Sequence, residues 1–253
     1  MRFSGKTAII TGGATGIGAT YSRAFAAEGA NVVIADILKS EGEALAQELN
    51  GQNEGRALFI STDVTDDLQT TRMAEEVASV FGNLHILVNN AAVYMELGSK
   101  KAFDEITLKE WEKTMAVNVR GVWHCAKAVS PHMKRHQKGK IINISSVVAY
   151  TGAAGFAHYV ASKAAVIGLT RALARELGAY NITVNAVAPG LVSNESSLRL
   201  NVETYIEQAT KARSLQRTMT PEDLIGTVLF LASPESDFIS GQTFVVDGGA
   251  IMR

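Results

Sequence analysis

A tyrosine and a lysine stand four residues apart in Tyr159-Val160-Ala161-Ser162-Lys163. On a helix that spacing puts a phenol and an ammonium on one face, one turn apart. A cation beside a phenol favours the phenolate and draws its pKa down from about 10, so the pair could exchange a proton near neutral pH. A second feature is Thr11-Gly12-Gly13-Ala14-Thr15-Gly16-Ile17-Gly18, between an apolar run and an amphipathic one. Gly12, Gly16 and Gly18 let the backbone turn sharply and approach a diphosphate, whose charge the N-terminus of a following helix favours. The spacing is not the usual G-x-G-x-x-G, so the strand–turn–helix context carries the assignment. Asp36 ends the next apolar run, 18 residues after Gly18. A carboxylate there accepts hydrogen bonds from both ribose hydroxyls of a dinucleotide and repels a 2′-phosphate; the alternative is a cap on the next helix. Neither Thr15 nor Ile37 is basic, as a phosphorylated ribose would require, which favours NAD over NADP.

For these groups to meet, distant segments must come together. Seven short runs dominated by Val, Ile, Ala or Leu recur: Lys6–Thr11, Asn31–Asp36, Arg56–Thr62, Leu84–Asn90, Gly139–Ser146, Ile182–Val187 and Gln242–Val246. Without polar alternation they read as strands buried on both faces, as in a parallel sheet covered by helices. Gly16–Gly29 carries Ile17, Tyr21, Ala24 and Phe25 on one stripe, and Asp66–Phe81 aligns Met73, Val77 and Val80. Thr107–His136 reads as two helices in line or one bent helix, with Pro131 in its last turns. The alternation predicts an α/β fold, a Rossmann-type doubly wound parallel sheet of about seven strands. No linker, repeat or charge run divides the chain, so one domain over 1–253 is expected. The polar stretch Leu191–Arg213 follows a strand's C-terminal end, where α/β proteins place ligand-covering loops.

Composition narrows the classes. Of 253 residues 47% are hydrophobic and 19% charged, with 24 basic against 25 acidic side chains. That excludes general disorder, and the near-zero net charge argues against nucleic-acid binding. No window approaches the ~20 apolar residues of a membrane span, and the first apolar run is too short for a signal peptide. Cys125 is the only cysteine, and the cytoplasm is the expected compartment. His124, His132 and His136 share a helical region without carboxylates at ligand spacing, so no metal site is expected. Lys100-Lys101 and Lys134-Arg135 read as solvated charge, and Trp111 and Trp123 as packing residues.

Ser146, 13 residues before Tyr159, and Asn118 in the long helical region complete the set of polar candidates. With Asp63-Val64, Asn89-Asn90-Ala91-Ala92, Asn185, Pro189-Gly190 and Val246-Asp247-Gly248-Gly249, the whole chain resembles a short-chain dehydrogenase/reductase. The resemblance implies that Tyr159 exchanges a proton with the substrate oxygen and that Ser146 polarises that oxygen. It further implies that Lys163 holds the nicotinamide ribose and lowers the Tyr159 pKa, while Asn118 fixes a water linking Lys163 to solvent. Such a division suits an enzyme whose cofactor carries the hydride. Ser145 adjoins Ser146, but strand neighbours face opposite ways, and spacing to Tyr159 favours Ser146.

The implied cofactor contacts are Gly12, Thr15, Gly16, Ile17, Gly18, Asp36, Ile37, Asp63, Val64, Asn90 and Ala91, then Tyr159, Lys163, Pro189, Gly190, Val192 and Asn194. Asp63 and Val64 resemble the pair that binds adenine, and Asn89, Ala91 and Ala92 would let adenosine lie close to the fourth strand. Two positions depart from the family: Ala92 replaces a frequent glycine, and Asn194 replaces a threonine that contacts the carboxamide, a role Ser193 could take. The expected substrate walls are Ser146, Val148, Tyr159, Tyr94, Phe156 and Leu191, with Val93, Met95 and Tyr150. Apart from Ser146 these are apolar or aromatic and include no arginine or lysine, which suits a small aromatic or cyclic secondary alcohol and its ketone. Asn194, Glu195, Ser196 and Ser197 could add polar recognition, and Arg199 or Arg213 a cation.

The expected protein is therefore an NAD-dependent alcohol or ketone oxidoreductase. One alternative is a 3-oxoacyl-thioester reductase, which Asp36 counts against. Another is a non-catalytic dinucleotide-sensing regulator, which the presence of Ser146, Tyr159, Lys163 and Asn118 counts against. The resemblance also implies a homotetramer built on Thr107–His136, Ala157–Ala179 and Ala250–Arg253.

Overall fold

The apolar runs form strands because their side chains are covered on both faces, which only a central sheet between helix layers can provide. The computed structural model describes residues 1–52, 55–94, 97–98, 100–193, 197 and 203–252. Its strands are β1 (Thr7–Thr11), β2 (Asn31–Asp36), β3 (Ala57–Ser61), β4 (Ile86–Asn89), β5 (Gly139–Ile144), β6 (Ile182–Pro189) and β7 (Thr243–Val246). They make one parallel seven-stranded sheet in the order β3-β2-β1-β4-β5-β6-β7. This is the Rossmann-like arrangement expected from the alternation of elements.

Successive strand residues feed opposite layers. Ile10 and Ile34 join Tyr21 and Phe25 of α1 (Gly16–Ala27), Leu45 and Leu49 of α2 (Lys39–Gln52), and Val228 of a C-terminal helix spanning Ile225–Ala232. Ile9 and Val33 face the other way, onto Met73 and Val77 of α3 (Asp67–Phe81) and Val129 further along. Asp66 caps α3 through Leu68 N and Gln69 N, and Val80, expected on the buried stripe, is 38% exposed.

The long helical region is continuous but not uniform. α4 (Leu108–Met115) runs through a π-helical turn, Ala116–Arg120, into α5 (Gly121–Arg135), which contains Pro131. The extra residue of the wide turn explains why the sequence reads equally as two helices or one bent one. Asn118 sits in that turn. A short α6 (Val148–Thr151) and the long α7 (Ala157–Leu177) follow β5. Of the segment after β6, α8 (Glu203–Lys211) is described, and α9 is the Ile225–Ala232 helix.

β1 pairs with both β2 and β4, so strand order reverses there. A crevice opens beyond the C-terminal ends of strands at such a point. Across the sheet's interior, Asn89 Nδ2 donates to Asn143 Oδ1 at 2.9 Å and Asn143 Nδ2 to Thr170 Oγ1 at 2.9 Å. This polar chain fastens β4 to β5 and β5 to α7. Replacing Asn143 by alanine removes both bonds, leaving Asn89 Nδ2 its long bond to Val122 O and Thr170 Oγ1 its donation to Val166 O, and should lower unfolding stability by ~2 kcal/mol. The urea midpoint at unchanged m-value measures that loss.

Candidate active site

Gly12 and Gly16 carry φ of +61° and +54°, the left-handed region that favours glycine. A methyl group on Gly18 would lie 1.9 Å from Gly12 O, so the first turn of α1 packs directly on the loop. Asn90 braces the same loop, its Nδ2 donating to Thr11 O at 3.2 Å and Gly12 O at 3.0 Å. Thr15 makes no side-chain cap and no acid lies in the first turn of α1, which leaves its N–H groups open to an anion. The loop therefore fits the diphosphate of a dinucleotide.

Asp36 is buried at the end of β2. Its Oδ2 accepts from Ala14 N at 3.0 Å and its Oδ1 from Leu38 N at 3.1 Å. The carboxylate thus shapes the glycine loop and the entry to α2 while still lining the cavity, so the cap reading and the cavity reading describe one residue. Each oxygen keeps a further lone pair for a hydroxyl donor. Asp63 Oδ1 accepts from Thr65 N and Thr65 Oγ1, at 2.8 and 2.7 Å.

One cavity of about 1080 Å³ joins these groups to the tyrosine–lysine pair. Its walls include Gly12, Thr15, Gly16, Ile17, Gly18, Asp36, Ile37, Asp63, Val64, Asn90, Ala91, Ser146, Tyr159, Lys163, Pro189, Gly190 and Val192. Val93, Tyr94, Val148, Phe156 and Leu191 line it too, whereas Tyr150, Asn89 and Asn118 do not. Asn194, Met95, Glu195, Ser196 and Arg199 lie outside the described residues.

α7 presents Tyr159 and Lys163 to the cavity, both buried. Lys163 Nζ donates to Ile144 O at 2.9 Å and stands 5.7 Å from the centre of the Tyr159 ring. Burial draws its pKa down to about 8. Ser146 hydrogen-bonds the phenol, yet burial, reinforced by Tyr94, raises the Tyr159 pKa above its usual 10. The expectation that Lys163 lowers it is therefore not met in the protein alone. Desolvation outweighs the Ser146 hydrogen bond, and the ammonium is turned to a carbonyl. The phenol is protonated at neutral pH. Ser145 donates to Lys163 O at 2.7 Å, which separates its task from that of Ser146.

Asn118 is held by other partners than Lys163. Its Oδ1 accepts from Val93 N at 2.8 Å and its Nδ2 donates to Ser162 Oγ at 3.0 Å. Ser162 in turn donates to Tyr159 O at 2.7 Å. Ser162, overlooked in the sequence, thus ties the π-helical turn to the residue bearing the phenol; its position three residues after Tyr159 was the available signal.

Several set-aside residues fall elsewhere than expected. Lys100 is exposed, as its reading as solvated charge requires, yet it also lines the cavity, as do the exposed Lys113 and the buried Arg213, so the pocket is not free of cations. Nothing in the local sequence marks Lys100 or Lys113, which tertiary contacts bring in, whereas Arg213 is one of the two cations expected from the sequence. Arg213 donates to Leu191 O at 2.6 Å and Arg217 O at 3.0 Å, which gives it a structural occupation. His124 is buried with Nδ1 3.0 Å from Val64 O, behind the cavity wall. Trp111 and Trp123, expected to pack, remain 40% and 44% exposed.

The family model described as enoyl-(acyl carrier protein) reductase matches residues 12–250. A 3-alpha-(or 20-beta)-hydroxysteroid dehydrogenase of Mycobacterium tuberculosis is 39% identical over 250 residues, 99% of this chain and 91% of that one. A 3-oxoacyl-[acyl-carrier-protein] reductase of Thermotoga maritima is 38% identical over 252 residues, the full length of both. A probable galactose dehydrogenase of Rhizobium meliloti is 35% identical over 242 residues, 95% of this chain and 93% of that one. The chain belongs to the short-chain dehydrogenase/reductase family. It is an oxidoreductase of the kind that acts on CH–OH and C=O groups, and the family uses nicotinamide cofactors. Among the described residues no helix is long and apolar enough to cross a membrane.

A buried ammonium has a measurable consequence. Because the folded pKa of Lys163, about 8, lies below its unfolded value near 10.5, the charged form opposes folding. The penalty, about 3 kcal/mol, is complete below pH 8 and is relieved as pH rises from 8 to 10.5, where only the unfolded chain takes up the proton. Lys163→Met should therefore be more stable than the native protein at pH 7, with the difference shrinking toward pH 10. Denaturant midpoints of the two proteins across that range test this.

Proposed function

We propose that this chain is an NAD-dependent dehydrogenase that interconverts a small aromatic or cyclic secondary alcohol and its ketone. The observation that carries the substrate reading is the cluster around the phenol. Val93, Phe156 and Tyr159 pack together, with Tyr94 and Val148 against them and the Tyr94 ring 5.4 Å from that of Tyr159. Flat apolar walls beside a proton donor suit a ring whose hydroxyl points at Ser146 and Tyr159. The similarity to a hydroxysteroid dehydrogenase supports a cyclic alcohol.

The bound cofactor would supply or accept the hydride. Gly12, Gly16 and the open first turn of α1 hold its diphosphate, and Asp36 takes the adenosine ribose hydroxyls. Ile37, Asp63, Val64, Asn90 and Ala91 line the adenosine end; Pro189, Gly190 and Val192 line the other. Ser146 donates to the carbonyl oxygen, and Tyr159 delivers the proton to it in reduction and withdraws it in oxidation. Lys163 binds the nicotinamide ribose and places a positive charge near the resulting phenolate. Asn118 holds the π-helical turn behind them and anchors the water of the proton path. Residues 191–213 cover the substrate as part of one working domain over 1–253.

The 3-oxoacyl-thioester reductase reading draws on the Thermotoga maritima relative. Cofactor choice separates the two, because Asp36 beside a 2′-phosphate is a buried like-charge contact costing several kcal/mol. kcat/KM with NAD should exceed that with NADP by ~100-fold or more. Equal values overturn the role of Asp36. Tyr159→Phe should lower kcat by ~100-fold or more while NAD still binds, since only the proton donor is lost. Near-normal turnover by that variant would remove the mechanism.

Cys125 is buried, and the cytoplasm is the compartment we propose. Ala126 and Val166 are buried within the subunit, but Phe103, Leu108, Trp111 and Trp123 leave apolar surface on and before α4 and α5. A homotetramer would cover it. Light scattering at micromolar concentration should return four subunit masses, and a monomer mass would refute the assembly.

A further inference from the structure

The substrate end of the cavity is not purely apolar, and its charge is placed rather than incidental. Lys100 follows β4 and lines the same cavity as Tyr159. Two contacts place the base of its side chain. Lys101 N donates to Gly155 O at 3.2 Å, and at Gly155, where φ is +87°, a methyl group would come within 2.6 Å of Lys100 Cβ. The stem is therefore seated on the loop that leads into α7. Its ammonium stands 4.4 Å from the centre of the Tyr205 ring of α8 and 6.0 Å from that of Phe156. Phe156 packs in the cluster that contains Tyr159. One aromatic residue thus lies between the ammonium and the group that handles the reacting oxygen.

Lys100 is exposed where it lines the cavity, and the aromatic faces attract its cation without occupying its three N–H donors, so a ligand acceptor has only solvent to displace there. Other charges on the cavity wall are engaged. Lys163 donates to Ile144 O, Arg213 to Leu191 O and Arg217 O, and Asp247 accepts from Gly249, Ala250 and Ile251 N. The neighbouring Lys101 pairs with Glu110. Among the described residues Lys100 meets no carboxylate.

Resting on the reading of this pocket as the seat of a cyclic secondary alcohol, we infer that Lys100 binds a carboxylate at the end of the substrate remote from its carbinol. The favoured substrate is then a ring-based hydroxy acid and the product the matching keto acid. Tyr94 and Phe156 contact the ring, Ser146 and Tyr159 engage the hydroxyl, and the ammonium takes the acid. A single ammonium matches a monoanion; a phosphate would call for a guanidinium fork or several backbone donors beside it.

The test compares 4-hydroxycyclohexanecarboxylate with its methyl ester, which differ only in charge at the remote end. The native enzyme should prefer the acid by ~10-fold in kcat/KM, chiefly through KM, and added salt should reduce the preference. Lys100→Met should lower kcat/KM for the acid ~10-fold more than for the ester, Lys100→Arg should keep the preference, and Lys100→Glu should invert it. Equal use of acid and ester by the native enzyme, or equal losses on both with Lys100→Met, overturns the inference. Calorimetry with cyclohexanecarboxylate in the presence of NAD separates the two readings. Binding to the native protein but not to Lys100→Met, without turnover of either alcohol, would sink the cyclic-alcohol reading and keep the anion site. Absent or equal binding would sink the anion site itself.

Discussion

Two hydrogen bonds join α7 to the end of β5: Lys163 Nζ donates to Ile144 O at 2.9 Å, and Ser145 Oγ donates to Lys163 O at 2.7 Å. They run in opposite directions between the same two segments, so neither helix nor strand can slide without breaking one. Ser146 leaves β5 immediately after this clasp and Tyr159 lies one helical turn before it, which brings the phenol and the hydroxyl into hydrogen-bond contact. The clasp carries a cost as well. An ammonium deprived of water is a destabilising group, and the fold tolerates it beside one carbonyl acceptor. Function of this kind is maintained against stability.

The second half of the cavity depends on strand order. Because β1 lies between β2 and β4, the glycine loop after β1 meets Asp36 from one neighbour and Asn90 from the other. Gly18 then packs on Gly12 O, and Gly12 on the backbone of Ala91, closely enough that no side chain fits at either site. The π-helical turn plays a corresponding part on the opposite side. It delivers Asn118 to Val93 and Ser162, which fixes the chain after β4 against the helix that carries Tyr159.

Charge is distributed unevenly along the cavity. Asp36 and Asp63 belong to the end formed by the first three strands, whereas Lys100, Lys113, Lys163 and Arg213, against one acid, Asp247, come from later loops and helices. Such a gradient gives an elongated ligand one orientation, since reversing it would bring groups of like charge together.

Much of this was legible before any coordinates. Apolar runs without alternation mark strands covered on both faces, and glycine spacing between a strand and a helix marks the phosphate loop. The Tyr159–Lys163 interval marks a shared helical face, because periodicity and backbone conformation are local properties carried within a few residues. Partner choice was not legible. Lys100 reads as surface charge and is exposed, but it also joins the cavity wall because the chain after β4 crosses the loop preceding α7. Asn118 reads as a polar helix residue, and only the π-helical turn shows that its side chain is held by Val93 and Ser162. The phenol's pKa reverses for the same reason: spacing predicts a cation nearby, but burial and the direction in which that cation points set the sign. Sequence determined which residues share a turn or a strand end. Tertiary structure decided which of them lose water and what they face, because desolvation and contact depend on segments far apart in the chain.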